Sequence, residues 1–270
     1  MQVAFQGERG AYSESAVYTF FGTSVEVKPC RDLAEVFENV DKQETQYGVV
    51  PVENSLEGSV NQTYDLFLTH DLKVCGEIIL RVSHCLIANP STSLEAVKAV
   101  YSHPQALAQC RNFLEHLGRE LIPTYDTAGS VKMLKEKGLK DAAAVASERA
   151  AELYGMKILA REIEDNPANY TRFFVLSKED SPVTGRDKTS IIFSAAHTPG
   201  SLYTALGEFA KRNINLTRIE SRPTKQKPWE YNFYLDFEGH RGEGRCAEAL
   251  KALEKSAAFV KILGSYARAA

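Results

Sequence analysis

Up to about Ser177, short β-branched runs alternate with stretches of helical periodicity, and this alternation limits the chain more than any other feature. A chain so patterned lays its strands in sheets and carries helices on their faces, which gives an α/β domain with largely parallel strands. The pattern predicts strands over 3–5, 25–27, 47–50, 74–87, 99–101, 121–125, 142–145 and 172–176, and helices over 13–21, 33–42, 59–68, 104–117, 130–136 and 148–153. Residues 1–80 and 90–165 each hold enough elements for a small sheet, and the long apolar run 74–87 passes from one group to the other. Two lobes with a cleft between them follow.

Polar residues with Pro182 and Gly185, lacking any periodicity, fill 178–187 and read as a linker. Beyond it come a strand (189–194), a helix (201–212), two strands (216–221, 231–237), a helix (246–254) and a strand (260–265). That order, βαββαβ, is the ferredoxin-like α+β arrangement. The expected boundaries are 1–178 for the two-lobed domain (lobe one about 1–80 plus 166–178, lobe two about 81–165), 179–187 for the linker and 188–270 for the second domain.

A formal net charge of -3 offers no broad attraction for nucleic acid or an anionic membrane, so an anionic ligand has to be held by local donors. The five cysteines (Cys30, Cys75, Cys85, Cys110, Cys246) are odd in number and scattered, with no C-x-x-C pair, which argues against a disulfide framework and a zinc site. No basic segment leads into an apolar one at the start, and no run approaches the roughly 18 apolar residues that span a bilayer. A soluble cytoplasmic protein is expected.

In Asn169-Tyr170-Thr171-Arg172-Phe173-Phe174-Val175-Leu176 a hydroxyl and a guanidinium interrupt an apolar strand. An unpaired polar group in an apolar setting costs on the order of 2–7 kcal/mol, so Thr171 and Arg172 are either satisfied by neighbours or turned toward something bound. A β-forming Thr and an Arg reaching to water give the same pattern without function.

Four strand-to-helix junctions, 7–13, 53–59, 102–105 and 127–130, carry small polar residues. In an open α/β sheet such junctions gather at the carboxyl ends of the strands, and each helix start offers unpaired N–H groups to an anion. Asn54-Ser55-Leu56-Glu57 and Ser102-His103-Pro104-Gln105 also have capping-box spacing, which helix stability alone explains. Gly58, in the first turn of a predicted helix, is unfavourable by about 1 kcal/mol relative to Ala, which fits close approach of a ligand. His84 stands inside an apolar run, where it suits either a hydrogen-bonded core histidine or a proton donor. No ligand spacing assigns a metal. In the second domain Gly200 opens a helix whose N–H groups suit a carboxylate, and Glu220 at a strand end suits an ammonium. A free amino acid carries both.

Taken together, Gln6-Gly7-Glu8-Arg9-Gly10-Ala11-Tyr12-Ser13, Val50-Pro51-Val52-Glu53-Asn54-Ser55-Leu56-Glu57-Gly58-Ser59-Val60, Ser102-His103-Pro104-Gln105-Ala106-Leu107 and Asn169-Tyr170-Thr171-Arg172-Phe173 closely resemble the prephenate dehydratase family. The remainder of the chain resembles that family's ACT regulatory domain, so the likeness covers essentially the whole sequence. The resemblance implies a two-lobed catalytic domain similar to periplasmic binding proteins, which converts prephenate to phenylpyruvate, carbon dioxide and water in phenylalanine biosynthesis. It implies no cofactor, no nucleic-acid or membrane partner, and a homodimer or homotetramer paired through ACT domains.

Within the family's Thr-Arg-Phe motif, Thr171 is the residue implied to be closest to catalysis, with Arg172 balancing charge and Phe173 walling the ring. Ser13, Asn54, Ser55, Glu57, Gly58, Thr127 and Asn169 are expected to bind substrate, its carboxylates lying at the helix starts near 54–58 and Thr127. Glu57 and His84 are alternative acids. L-Phenylalanine is expected as feedback effector at Gly200, Ser201, Leu202, Asn215, Glu220, Ser221 and Arg222. Ser201 departs from the family's usual Gly-Ala-Leu, which bears on sensitivity to the effector. Some relatives carry a helical chorismate mutase ahead of this domain; here Val3 to Phe5 already reads as the first catalytic strand, so no mutase activity is expected. The alternatives are an arogenate dehydratase, with Glu53 or Glu57 receiving the amine, and an amino-acid-sensing binding protein without catalysis.

Overall fold

The computed structural model describes residues 1–196, 198–225 and 229–269. In chain order the elements are β1 (Gln2–Gln6), α1 (Tyr12–Phe21), β2 (Glu26–Cys30), α2 (Leu33–Asp41), β3 (Tyr47–Asn54), β4 (Gly58–Ser59), α3 (Asn61–Thr69), β5 (Lys73–Arg81), β6 (Cys85–Ala88), β7 (Ala99–Ser102), α4 (Pro104–Gln109), α5 (Arg111–Leu117), β8 (Glu120–Pro123), α6 (Thr127–Lys137), β9 (Ala142–Ala146), α7 (Glu148–Tyr154), β10 (Lys157–Ala160) and β11 (Tyr170–Ser177). There follow β12 (Asp187–Ala195), α8 (Ser201–Ala210), β13 (Leu216–Pro223), β14 (Tyr231–Glu238), α9 (Gly244–Ser256) and β15 (Ala257–Ala267).

Two compact units result. One comprises Met1–Leu68 and Ile78–Phe173, the other Thr69–Glu77 and Phe174–Ala270. The division runs through strands: β5 changes unit between Glu77 and Ile78, and β11 between Phe173 and Phe174.

The first unit is the two-lobed α/β body. One sheet has the order β2-β1-β3-β11-β5, with β4 against β3, and the other β10-β6-β9-β7-β8. As expected, β1 is parallel to β2 and β3, and β7 to β8 and β9, while β6 runs antiparallel to β9 and β10. Every residue of β9, Ala-Ala-Ala-Val-Ala, is buried, as befits a strand covered on both faces. A single apolar cluster, including Leu86, Val100, Leu114 and Val145, packs α4 and α5 against this sheet.

Three expected elements differ. The run 74–87 is two strands in two sheets, broken where Val82 N–H donates to the Asn169 carbonyl (2.8 Å) and His84 N–H to a Glu164 carboxylate oxygen (2.8 Å). The helix over 104–117 breaks at Cys110, which caps α4 and opens α5. Residues 54–60 do not begin a helix: Gly58 and Ser59 fold back on β3 as a two-residue antiparallel strand, and α3 starts at Asn61. Gly58 lies at φ 80°, in the left-handed region, so the turn itself accounts for glycine there.

The second unit carries the ferredoxin-like βαββαβ fold, a four-stranded sheet in the order β13-β14-β12-β15 with antiparallel neighbours. Its core joins Ile191, Phe193, Phe209, Leu235, Phe237, Leu250 and Leu253 from sheet and helices. The same unit takes in the start of β5. There the buried Glu77 receives Lys188 Nζ at 2.9 Å, Lys261 Nζ reaches the His70 carbonyl at 2.8 Å, and the Phe174 and Tyr266 rings lie 5.5 Å apart.

Candidate active site

Asn54 closes β3, and its side chain is oriented by the backbone that follows. Its Oδ1 accepts from the N–H groups of Leu56 (3.0 Å) and Glu57 (3.1 Å), so the amide nitrogen must point the other way. That Nδ2 donates to Asn169 Oδ1 at 2.7 Å and to Thr171 Oγ1 at 3.0 Å. Thr171 therefore accepts a hydrogen bond from Asn54, and its own proton has no acceptor among the described residues. The hydroxyl is set up to donate.

From Asn169, entirely buried, the chain of contacts continues inward. Asn169 Nδ2 donates to Gln109 Oε1 at 3.0 Å, and the same oxygen lies 3.0 Å from His84 Nε2. His84 Nδ1 meets the Tyr12 hydroxyl at 3.0 Å, and that hydroxyl also reaches the Ser83 carbonyl at 2.6 Å. Six side chains, from β3, α4, α1, the β5–β6 break, β11 and the residue before it, thus form one polar path, with Asn54, Asn169 and His84 buried and Thr171, Gln109 and Tyr12 half-buried. Burial pushes the His84 imidazole down from its ordinary value, against Gln109 and Glu164 acting upward, and pushes the Tyr12 phenol well up.

This geometry relocates several expected residues. Both His84 nitrogens are engaged by protein groups, with three amides between the ring and Thr171, so it is not presented to a ligand as an acid. Ser55 clips its turn to β11, donating to the Ala168 carbonyl and accepting from Tyr170 N–H, both at 2.9 Å. Glu57 is exposed, and Ser13 is buried in the first turn of α1. Arg172 is largely buried, its Nη1 3.9 Å from a Glu53 oxygen. Phe173 is a core residue, 2% exposed, rather than an open wall. Gln109 and Tyr12 were not singled out by sequence reasoning. Gln109 ends a short helix among polar neighbours and has no local signature.

Across the cleft the β1–α1 loop docks on the second lobe. Ser147 Oγ donates to the Gly10 carbonyl at 2.6 Å, Lys132 Nζ pairs with Glu8 at 3.0 Å, and Tyr125 hydroxyl reaches Glu8 at 3.2 Å. A Cβ on Gly10 would lie 2.9 Å from Ala150 Cα, so only glycine permits this approach. Beneath the loop the buried Glu14 accepts from Gly10 N–H (2.6 Å), Arg149 Nε (3.1 Å) and Arg9. Desolvation works to raise its carboxyl, but these three donors outweigh it and hold Glu14 below the usual range.

Thr127 stands at the first turn of α6, where the expected anion site is already occupied: Asp126, the N-cap, accepts from Gly129 N–H at 2.6 Å. Burial, and behind it the Glu8 carboxylate, push the Asp126 carboxyl up despite that hydrogen bond. A carboxyl raised in the folded state binds its proton more tightly there than in the unfolded chain. Its ionisation therefore opposes folding at neutral pH, and the handicap fades as pH falls through the ordinary carboxylate range near 4. Asp126→Asn, which keeps a good N-cap, is expected to melt above wild type at pH 7.5, with the gap closing at pH 4. Thermal unfolding at both pH values checks this.

In the second unit Gly200 caps α8 at φ 82°, with Ser201 and Leu202 in the first turn. The Ser201 hydroxyl turns back to the carbonyls of Ala196 (2.5 Å) and Thr198 (2.9 Å), so replacing alanine there adds no unsatisfied polar group. Asn215 lies past the other end of α8, beside a recess of about 410 Å³ lined also by Ala210, Asn213, Ile214, Glu238 and Arg245. Ten residues of α8 span about 15 Å, so Gly200 and Asn215 of one chain do not meet. Glu220, Ser221 and Arg222 lie on β13, an edge strand, where Glu220 pairs with Arg218. Among the described residues no helix is long and apolar enough to cross a membrane.

The chain matches the family described as prephenate dehydratase over residues 3–181 and the ACT domain over 189–255. It is 46% identical over 272 residues to the bifunctional chorismate mutase/prephenate dehydratase of Aquifex aeolicus, covering 100% of this chain and 74% of that one. It is equally 46% identical over 277 residues to arogenate dehydratase/prephenate dehydratase 2 of Arabidopsis thaliana, covering 98% and 72%. Among solved structures, prephenate dehydratase from Arthrobacter aurescens in complex with L-Phe superposes with a TM-score of 0.91 at 34% identity, covering 99% of this chain and 90% of that one. A protein described as a novel type of quorum quenching acylase superposes at 0.90 with 35% identity, covering 99% and 98%.

Proposed function

The chain belongs to the prephenate dehydratase family, and on that premise we propose that it converts prephenate to phenylpyruvate, carbon dioxide and water under feedback by L-phenylalanine. Prephenate is a dianion with a ring carboxylate, a pyruvyl side chain and a hydroxyl across the ring. The enzyme has to assist the departing hydroxyl and leave the carboxylate that becomes carbon dioxide poorly solvated, while the aromatic product supplies the driving force.

The observation that carries this reading is the Thr171 hydroxyl, supplied with a donor by Asn54 and keeping its own proton for a ligand. A hydroxyl prepared this way is a hydrogen-bond donor to a leaving oxygen, whereas a nucleophilic hydroxyl, such as an acylase needs, calls for a base. Purified protein with prephenate at neutral pH should form phenylpyruvate above the spontaneous rate, and no turnover by folded protein would sink the reading. Arogenate is the second substrate to assay, since relatives at the same identity are named for both.

Feedback by L-phenylalanine is supported by the ACT domain match and by the L-Phe complex of the Arthrobacter aurescens enzyme. With Gly200 and Asn215 at opposite ends of one helix, a pocket using both draws them from two copies, which favours a dimer paired through the ACT domain. L-Phenylalanine is expected to inhibit turnover, and Asn215→Ala to raise the concentration needed for half inhibition by about tenfold or more without changing uninhibited kcat. Sedimentation with and without the amino acid reads the coupling to assembly.

A further inference from the structure

The polar path from Thr171 to Tyr12 has a fixed direction. Backbone N–H groups of Leu56 and Glu57 hold Asn54 Oδ1, so Asn54 Nδ2 faces Asn169 Oδ1, and Asn169 Nδ2 in turn faces Gln109 Oε1. Gln109 Oε1 then has a second lone pair aimed at His84 Nε2, 3.0 Å away. An acceptor facing a ring nitrogen requires a proton on that nitrogen. At the far end the Tyr12 proton turns to either of two acceptors, the Ser83 carbonyl or His84 Nδ1. A backbone turn at one end of the path thus sets the protonation of a histidine three side chains beyond Asn54.

We propose that His84 is a positioning residue held with its proton on Nε2, and that this proton, matching the direction set at Asn54, completes the one polarity that leaves the Thr171 proton available to substrate. Reversing the polarity requires residue 54 to present acceptors on both sides, since an asparagine turned over would face the Leu56 and Glu57 N–H groups with its own NH2. Asn169 would donate to residue 54 and Gln109 Nε2 to His84 Nε2, His84 Nδ1 would donate to Tyr12, and Tyr12 to Ser83. Thr171 would then spend its proton on residue 54. The two polarities need the same heavy-atom positions, so the choice rests on residue 54 and on the tautomer of His84.

Asn54→Asp reverses the path without emptying it, because a carboxylate keeps the Leu56 and Glu57 bonds and presents acceptors to Asn169 and Thr171. Long-range ¹⁵N–¹H correlation spectra of the full chain, with His84 assigned by its loss in His84→Gln, read the tautomer directly. Wild type should show a protonated Nε2 and Asn54→Asp a bare Nε2 with protonated Nδ1. The catalytic consequence rests on the dehydratase reading above: kcat of Asn54→Asp should fall about 100-fold or more, and His84→Gln about tenfold, each with KM shifted less than about threefold. A bare Nε2 in wild type overturns the proposal, even if Asn54→Asp fails to fold, as does an unchanged tautomer in folded Asn54→Asp. Failure of wild type to turn over prephenate removes the dehydratase reading but leaves the tautomer result to decide the polarity.

Discussion

Thr171→Ala is expected to lower kcat by about 10²–10³-fold while KM moves less than about threefold. In the proposed reaction the hydroxyl donates to an oxygen that gains charge only as the bond breaks, so its loss should fall on the transition state and hardly on binding. Thr171→Ser keeps both the acceptor for Asn54 Nδ2 and the proton aimed at substrate, and should remain within about tenfold of wild type. The lost methyl group relaxes the rotamer, which accounts for the remaining deficit. Steady-state phenylpyruvate formation checks both variants. A Thr171→Ala enzyme with wild-type kcat would remove Thr171 from the chemistry.

Gly264→Ala should be the most damaging single methyl group in the second unit, destabilising it by about 2–4 kcal/mol. A Cβ at that position would lie 2.1 Å from the Val74 carbonyl oxygen and 2.8 Å from its nitrogen. Both are backbone atoms of β5, so no side chain can swing aside. Gly264 sits opposite Ser190 beside a register shift between β12 and β15, which brings the β15 backbone this close. Urea unfolding followed by far-UV circular dichroism measures the loss, and a change under about 0.5 kcal/mol would show that β15 adapts. Gly207→Ala is the control: a Cβ there meets nothing within 4 Å, and replacing glycine inside α8 should be neutral or stabilising.

The fold was legible where local pattern and tertiary position agree. Alternation of apolar runs with amphipathic stretches gives nearly all the strands and helices, and βαββαβ order gives the second unit. It failed where a break is imposed from outside. Nothing in the residues 74–87 announces that Val82 will bond to Asn169 or His84 to Glu164, because the run stays apolar across the break. Capping-box spacing at Asn54 also misled, since an oxygen accepting from the second and third N–H groups onward serves a hairpin turn as well as a helix start. Thr171 stands out in the sequence as a hydroxyl in an apolar strand, and the fold adds its Asn54 partner at 3.0 Å. Gln109 does not stand out, because a polar residue at a helix end is ordinary and only the fold brings it 60 positions along the chain to Asn169.

Because β5 and β11 each belong to both units, a cut within 179–187 does not follow the division between them. A protein cut there keeps Thr171 but strips Glu77 of Lys188, Val74 of the β15 backbone and the Phe174 ring of Tyr266. Such a fragment exposes apolar and charged groups that the intact chain buries, and is expected to aggregate or to recruit the missing part in trans. Exchange of the second unit between relatives would therefore have to carry the first half of β5 and the second half of β11 with it.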